Sequence, residues 1–213
     1  MNRKLDQIKL LIFDCDGVLF DSRKANFEYY NRICSLAGRP PITEEEFHFV
    51  HMHTAEESVK FLFRNFPELM DQALDIARNL SYDDFIQYME FEPGVPDVLS
   101  EIKKKRFFTA ISTNRSTTMP LLVKMFDLKK WFDLIVCALD VSKPKPHPEG
   151  VQKILDHFGV SNELAMYIGD SEVDEKVAKR AGIPLIAYKN PALNAMFHVK
   201  HFNQILNILP ENR

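Results

Sequence analysis

The chain has 213 residues, and 46% of them are hydrophobic, so a core can form without disulfide or metal staples. Lys and Arg total 27 against 30 Asp and Glu, and the net charge of −3 leaves no basic excess for nucleic acid or an anionic membrane. No apolar run approaches the roughly 20 residues of a membrane span, and residues 1–9 lack a signal-peptide stretch. Three scattered cysteines without a CxxC pair predict free thiols, with Cys15 as buried filler. We therefore expect a soluble, cytoplasmic protein.

Short apolar runs, taken in chain order, predict buried strands. The first, Leu10–Phe13, ends abruptly at Asp14, as a strand covered on both faces of a parallel sheet does. The others are residues 107–112, 134–138, 164–168 and 184–187. Several are separated by helical periodicities, which begin at Val95, Leu122, Val151 and Val177. Strands that alternate with helices predict an α/β fold with a doubly wound parallel sheet.

Residues 22–92 break this alternation, because they contain successive amphipathic helical patterns and no convincing strand. Thr43 and Glu46 resemble a capping box that opens one of these helices. We therefore predict two domains. Residues 1–21 and 93–213 form the α/β core, and residues 22–92 form a smaller all-helical cap that is mobile and covers a site at the end of the first strand.

Polar residues at the carboxyl ends of parallel strands are the first candidates for a site, because ligands bind there in open sheets. These candidates are Asp14, Asp16, Gly17, Thr113, Asn114, Lys143, Lys145, Asp170 and Asp174. Carboxylates about 4 Å apart repel by about 4 kcal/mol per pair at an effective dielectric near 20, so the four aspartates need a cation. Oxygen ligands favour a hard ion, and two or three carboxylates suit Mg²⁺ better than Ca²⁺.

The remaining candidates suit a phosphoryl group as the substrate. A lysine, a threonine hydroxyl and loop amides near Gly17 and Asn114 can hold three anionic oxygens. No serine stands in a GxSxG turn and no base adjoins a cysteine, whereas an ionised aspartate can attack phosphorus. A second carboxyl two residues further on can protonate the leaving alcohol and later deprotonate water. The pattern predicts phosphate-ester chemistry through an aspartyl-phosphate.

Four motifs carry a family resemblance. They are residues 13–22 (FDCDGVLFDS), Thr113-Asn114, residues 145–149 (KPHPE) and residues 169–174 (GDSEVD). Their order and spacing resemble the haloacid dehalogenase-like hydrolase superfamily, and within it the branch that contains phosphoglycolate phosphatase and β-phosphoglucomutase. The resemblance covers essentially the whole chain and implies a Rossmann-like core with a helical cap.

The resemblance also implies catalytic and metal-binding roles. Asp14 would be the nucleophile and Asp16 the general acid/base. Mg²⁺ would be held by the Asp14 carboxylate, the Asp16 carbonyl and Asp170, with support from Asp174. Relatives that cleave carbon–halogen bonds lack the second aspartate and those that cleave phosphonates carry alanine there, so Asp16 favours phosphate esters.

The phosphoryl group would contact residues of three loops. Thr113 would hold one of its oxygens, Asn114 would help to orient it, and the loop at Gly17 would supply amides. Lys145 would neutralise charge on the nucleophile and the phosphoryl group, with Lys143 as a less favoured competitor because of the Lys-Pro-x-Pro-Glu context at Lys145.

Two departures from the family pattern concern specificity and local structure. The cap residues His51, His53 and Thr54 lie where a glycine-containing substrate loop is usual, and we interpret them as specificity contacts rather than, together with His48, as a zinc site. Arg106 stands where many relatives have a glycine.

These observations predict a Mg²⁺-dependent phosphatase that acts on a small phosphorylated metabolite, either phosphoglycolate-like or a sugar phosphate. A phosphomutase of the β-phosphoglucomutase type is the nearest alternative, and a non-catalytic binding module with the same fold is the alternative of another class. We expect neither nucleic acid nor membrane as a partner, and the sequence leaves monomer and homodimer both open.

Overall fold

The computed structural model describes residues 7–50 and 55–210, and the chain divides into two compact units. One unit combines Met1–Asp21 with Glu90–Arg213, and the other is Ser22–Met89. Within the described ranges, none of the helices combines the length and apolar character needed to cross a bilayer.

The regular elements alternate along most of the larger unit and are helical in the smaller one. The strands are β1 Leu10–Phe13, β2 Phe20–Asp21, β3 Glu90–Phe91, β4 Phe108–Ser112, β5 Leu134–Val136, β6 Ala165–Gly169, β7 Leu185–Tyr188 and β8 Phe197–Val199. The α-helices are α1 Arg23–Ala37, α2 Glu44–Val50, α3 Ala55–Leu62, α4 Met70–Asn79, α5 Val95–Lys104, α6 Met119–Met125, α7 Glu149–Phe158 and α8 Glu172–Ala181. Short 3₁₀ helices cover Pro67–Leu69, Tyr82–Tyr88, Leu128–Lys130, Ala138–Asp140, Asn162–Leu164 and Phe202–Asn207.

A six-stranded parallel sheet in the order β5-β4-β1-β6-β7-β8 forms the centre of the larger unit. This confirms the predicted α/β fold, and strands β4 to β7 begin and end within two residues of their apolar runs. Strand β1 is central, and its register aligns Phe13 with Ile111 and Ile168. The residues that follow these three positions therefore reach the same edge of the sheet, which brings the predicted site residues together.

The central strands form because their side chains are apolar on both faces. All four residues of β1 and all five of β6 are buried. Helices α7 and α8 pack against one face through Val151, Ile154, Val177 and Ala178. Cys15, Cys34 and Cys137 are free thiols, as predicted, and all three are buried, which was predicted for Cys15 alone.

The smaller unit, residues 22–89, is helical and rich in aromatic contacts. Its helix α1 buries Tyr29 and Tyr30, whose rings contact each other edge to face. The predicted capping box is present: the Thr43 N–H donates to Glu46 Oε2 (3.0 Å), and the Glu46 N–H donates to Thr43 Oγ1 (3.2 Å).

Two short strands that the sequence analysis missed account for differences at element boundaries. Strand β3 pairs antiparallel with β2, with Phe20 opposite Phe91 and Asp21 opposite Glu90. The helical unit therefore ends at Met89 rather than at Glu92, because the pairing assigns β3 to the larger unit. The edge strand β8 was also missed, since only three residues form it and its burial is incomplete.

Helix α5 ends in a turn that explains the unusual arginine. Arg106 has a φ of 60°, in the left-handed region. Its N–H donates to the carbonyl of Lys103 (3.0 Å), and the N–H of Phe107 donates to the carbonyl of Ile102 (3.4 Å). This pair of bonds is a Schellman motif, whose left-handed position favours glycine because glycine has no Cβ to strain.

Candidate active site

The centre of the candidate site is an ion cluster around one buried lysine. Asp14 directly follows β1, and its Oδ1 lies 2.7 Å from Lys145 Nζ. The same ammonium lies 2.8 Å from Oδ1 of Asp174, which is fully buried in the first turn of α8. Because Lys145 is itself almost completely buried, its charge acts on these carboxylates with little solvent screening.

The two carboxylates that share Lys145 differ in their acidity. Burial raises the pKa of Asp14, and the nearby Asp174 raises it further, against the lowering effect of Lys145. Burial also raises the pKa of Asp174, but Lys145 and hydrogen bonds from Ser171 outweigh it and hold that pKa below its usual range. The Ser171 hydroxyl donates to Asp174 Oδ2 (2.6 Å). Asp174 is therefore the more acidic of the two carboxylates that contact the lysine.

Asp170 completes an acidic group that can hold a cation. Ligand oxygens of Asp14, Asp170 and Asp174 all lie within 4.8 Å of one another. Burial raises the pKa of Asp170 to about 7, and repulsion from Asp174 adds to this. With Lys145 as the neighbouring cation, three ionised carboxylates would leave a charge of −2, which a divalent cation would balance. The donor set is all oxygen and therefore fits Mg²⁺.

Gly17 allows the loop after β1 to approach Asp170. Its φ is +77°, and a Cβ at this position would lie 2.1 Å from Asp170 Oδ2. A Cβ at residue 17 would therefore force the Asp170 carboxylate to move, and the positive φ independently favours glycine here.

The Asp16 carboxylate pairs with Arg115, whereas the Asp14 carboxylate pairs with Lys145. Arg115 Nε donates to Asp16 Oδ2 (3.0 Å), and Arg115 Nη2 donates to Oδ1 (2.5 Å), a bidentate pair. The Arg115 side chain is 9% exposed and also donates to Thr118 Oγ1 (3.0 Å), whereas that of Asp16 is 38% exposed. Asp16 is thus the more accessible of the two carboxylates, as a group that exchanges protons with substrate and water needs to be.

Thr113 and Asn114 follow β4 and serve in part to shape the site. The Thr113 hydroxyl accepts a hydrogen bond from the Arg115 N–H (3.0 Å). Asn114 Nδ2 donates to the Lys145 carbonyl (2.9 Å), while the Lys145 N–H donates to Asn114 Oδ1 (2.8 Å). The Asn114 side chain therefore holds the backbone of Lys145, a role that the sequence analysis did not anticipate.

The loop that carries Lys145 is fixed by two further residues. Glu149 accepts hydrogen bonds from the Ser142 hydroxyl (2.6 Å) and from the Lys143 N–H (3.0 Å), and these bonds belong to the set that lowers its pKa to about 2. Arg180 donates to the Pro146 carbonyl (2.9 Å). Lys145 rather than Lys143 contacts the carboxylates, and the side chain of Lys143 is exposed.

Three residues of the site were not predicted as members: Arg115, Tyr167 and Ser171. Arg115 and Ser171 stand next to predicted motif residues, and that adjacency was the available signal. Tyr167 lies inside an apolar run, where its hydroxyl gives no signal in the pattern. Cys15, in contrast, is fully buried, and this burial, with Asp16 nearby, raises the pKa of its thiol and disfavours a nucleophilic thiolate. The proposed specificity residues His51, His53 and Thr54 lie outside the described residues.

The chain resembles several characterised sequences and solved structures. It is 29% identical over 217 residues to a phosphorylated carbohydrates phosphatase of Thermotoga maritima, with 96% of this chain and 99% of that protein covered. It is 27% identical to a phosphoglycolate phosphatase of Rhodobacter capsulatus, with 91% of each chain covered.

Two solved structures show the same architecture. A haloacid dehalogenase-superfamily hydrolase of subfamily IA from Geobacter sulfurreducens is 36% identical, with a TM-score of 0.88 over 96% of this chain and 98% of that one. A Thermotoga maritima protein named as a candidate β-phosphoglucomutase is 25% identical, with a TM-score of 0.77 over 95% and 100%.

The family model that matches is described as haloacid dehalogenase-like hydrolase, and it covers residues 11–188, from β1 to the end of β7. Together with the phosphoglycolate phosphatase and β-phosphoglucomutase relatives, this match shows that the chain belongs to the haloacid dehalogenase-like hydrolase family, in its phosphoglycolate phosphatase-like branch.

Proposed function

We propose that this protein is a Mg²⁺-dependent phosphatase that hydrolyses a small phosphorylated metabolite through an aspartyl-phosphate on Asp14. Family membership and the phosphatases among its relatives support the enzyme class. The observation that carries the mechanism is the contact of the Asp14 carboxylate, at the end of the central strand, with the buried Lys145 ammonium at 2.7 Å.

Residues of the acidic group would hold the metal. Asp14 and Asp170 would supply carboxylate oxygens to the metal, and Asp16 would supply its carbonyl oxygen. Asp174, whose oxygens contact Lys145 and Ser171, would support the metal site from close by. When bound, Mg²⁺ would offset the negative charge of the carboxylates and of the phosphoryl group.

In the first half of the proposed reaction, an oxygen of Asp14 attacks phosphorus. The ester P–O bond breaks, and the leaving alkoxide takes a proton from Asp16. Lys145 beside Asp14 would stabilise the charge on the transferring phosphoryl group, and the Thr113 hydroxyl would hold one of its oxygens. The products of this half are the free alcohol and an acyl phosphate on Asp14.

In the second half, water attacks the phosphorus of the acyl phosphate. Asp16, now ionised, accepts a proton from that water, and the bond between phosphorus and the Asp14 oxygen breaks. Inorganic phosphate leaves, and Asp14 and Asp16 return to their starting states. The Asp16 side chain is 38% exposed, which supports access of the alcohol and the water, and the proposed role requires this carboxyl to leave its bidentate pair with Arg115.

The substrate class is proposed from the relatives. The similarity over nearly full length to a phosphorylated carbohydrates phosphatase and to a phosphoglycolate phosphatase favours a small phosphate monoester of a sugar or a hydroxy acid. We propose no nucleic acid or membrane partner, in line with the net charge of −3.

Phosphate release from a panel of sugar phosphates and phosphoglycolate tests this function. We expect turnover with Mg²⁺, loss with EDTA, and loss of at least about 10³-fold in Asp14→Asn. Asp156→Asn, an exposed surface change on α7, is the matched control and should retain full turnover. An active Asp14→Asn variant would contradict the mechanism.

The similarity to a candidate β-phosphoglucomutase makes a phosphomutase the second candidate function. The same panel separates the two. Conversion of a sugar 1-phosphate to its isomer, activated by sugar bisphosphate and with little free phosphate, would favour the mutase over the phosphatase.

A further inference from the structure

Tyr167 places a hydroxyl group beside the catalytic lysine from inside the sheet. It is the third residue of β6 and is fully buried, with its ring in the apolar core. Its oxygen lies 3.2 Å from Lys145 Nζ, 3.2 Å from Asp174 Oδ1 and 3.1 Å from the carbonyl oxygen of Ser112. All three contacts of the hydroxyl are therefore polar groups at the carboxyl ends of strands or in the site itself.

The hydrogen-bonding role of the Tyr167 hydroxyl follows from the protons on the Lys145 ammonium. An ammonium group has three protons to donate and cannot accept. Its neighbours here are three oxygens, those of Asp14 at 2.7 Å, Asp174 at 2.8 Å and Tyr167 at 3.2 Å. The Tyr167 oxygen accepts from Lys145, so its own proton is directed to Ser112 or Asp174.

We infer that Tyr167 is a positioning residue that directs the Lys145 ammonium at Asp14. Asp174 and Tyr167, both fully buried, take two of the three ammonium protons on the interior side. The third proton points to Asp14, where the phosphoryl group would form. The inference rests on the proposed function, because it assigns the hydroxyl a use only if Asp14 is the nucleophile.

A phenylalanine at this position would fill the same volume and keep the apolar contacts of β6. It would leave one ammonium proton and the Ser112 carbonyl without their partner. The ammonium would remain near the site through Asp174, so the charge that attracts a phosphate would persist. Its direction toward Asp14 would be lost, and that direction matters most in the transition state.

The first test is the steady-state kinetics of Tyr167→Phe with the best phosphate ester from the panel. We expect kcat to fall about tenfold and KM to change less than about twofold. Tyr188→Phe is the matched control, because Tyr188 is also buried, lies in the neighbouring strand β7, and donates to Glu92 (3.1 Å) away from Lys145. The control should lose a similar amount of thermal stability and retain kcat.

A double-mutant cycle separates positioning from a structural effect. In a Lys145→Met background, Tyr167→Phe should change the residual rate less than about twofold, because the group that it positions is absent. An equal tenfold loss with and without the lysine would overturn the inference, as would a kcat of Tyr167→Phe within about twofold of the wild type.

A readout independent of activity distinguishes failure of this inference from failure of the proposed function. The ¹H–¹⁵N signal of a lysine ammonium held by three hydrogen bonds is protected from rapid exchange with water. We expect such a signal for Lys145 in the wild type and in Tyr188→Phe, and its loss or broadening in Tyr167→Phe. An unchanged signal would refute the positioning role, whereas a changed signal in a protein that cleaves no phosphate ester would refute only the phosphatase.

Discussion

Each of the two units buries a cation beside carboxylates, and the two clusters differ in their balance of charge. In the larger unit, Lys145 faces Asp14 and Asp174, with Asp170 close by. In the helical unit, Arg39 pairs with Glu46, and both side chains are largely buried. The Arg39 guanidinium also lies 5.7 Å from the ring centre of Phe63, on which it can make a cation–π contact.

The acidities of the carboxylates reflect this difference. Burial raises the pKa of Glu46, but the hydrogen bond from Arg39 and a backbone bond from Thr43 outweigh it and bring the pKa below its usual range. The pKa of Asp14 and that of Asp170 are instead raised by burial and by their like-charged neighbours. In the helical unit Arg39 and Arg64 both lie beside the one carboxylate of Glu46, whereas in the larger unit one lysine lies beside three carboxylates, which favours the binding of a further cation.

Replacement of the central lysine gives the largest expected effect. Lys145→Met should lower kcat/KM by about 10³-fold, because it removes the only positive side chain in contact with Asp14 among the described residues. Activity against the best phosphate ester, measured well below the melting temperature, checks this. In the same assay Arg39→Met should stay within about threefold of the wild type, and comparable losses in both variants would remove the contrast between the clusters.

Replacement of the arginine in the helical unit should act on stability instead. Arg39→Met removes the shorter of the two arginine contacts of the Glu46 carboxylate, which keeps Arg64 at 3.7 Å, and should lower the free energy of unfolding by about 2 kcal/mol. Urea denaturation measures this. Adding Glu46→Gln removes the carboxylate that has lost its shorter ion pair and keeps a side chain that can complete the capping box, so the double variant should recover part of the loss. No recovery would show that the pair stabilises through packing alone.

The unbalanced cluster should also show itself in the pH dependence of metal binding. Because burial and Asp174 raise the pKa of Asp170 to about 7, the apparent affinity for Mg²⁺ should fall about tenfold between pH 8 and pH 6. Isothermal titration calorimetry at several pH values checks this. In Asp170→Asn the binding should be weak at every pH, and an unchanged pH profile in that variant would assign the effect to another group.

Asp170 also affects the stability of the metal-free protein. That stability should fall as the pH rises, whereas the affinity for Mg²⁺ should increase. A pKa raised in the folded state means that the folded state binds the proton more tightly than the unfolded chain. The contribution of Asp170 to stability is therefore complete at acidic pH, below the usual pKa of an aspartate, and is lost as the pH rises through about 7. The wild type without metal should lose stability over this range relative to Asp170→Asn, and saturating Mg²⁺ should reverse the trend.

The smallest expected effects on the free energy of unfolding come from substitutions at the C-terminal end of one helix in each unit. The turn that follows helix α1 contains Gly38 with a φ of 82°. The turn that follows α5 contains Arg106 with a φ of 60°. Arg106→Gly should raise the free energy of unfolding by about 0.5–1 kcal/mol, and Gly38→Ala should lower it by a similar amount. Denaturation curves of both variants check this, and a destabilised Arg106→Gly would point to a contact of the arginine side chain.

Much of the site could be predicted because two of its acidic groups directly follow strands of the parallel sheet. Asp14 and Asp170 stand at the ends of β1 and β6, and the pairing of these strands brings them together whatever the details of packing. The role of Asn114 could not be predicted, since its partner Lys145 lies 31 residues further along the chain and the bond depends on the path of two loops.

The limits of the fold prediction have a similar cause. Strands β2 and β3 contain two residues each, too few for an alternating pattern to emerge, so their pairing is visible only in three dimensions. The hydroxyl of Tyr167 is hidden for a related reason, because tyrosine and phenylalanine fit a buried strand equally well.

The close approach of Gly17 to Asp170 has a consequence for the sequences that this fold accepts. A methyl group on residue 17 would occupy the space of the Asp170 carboxylate, and the backbone there has a φ of +77°, which disfavours any side chain. The methyl group of an alanine at this position would clash with the Asp170 side chain. It would displace the Asp170 side chain without altering a single charge, so the proposed metal site would be disturbed by a change of shape alone.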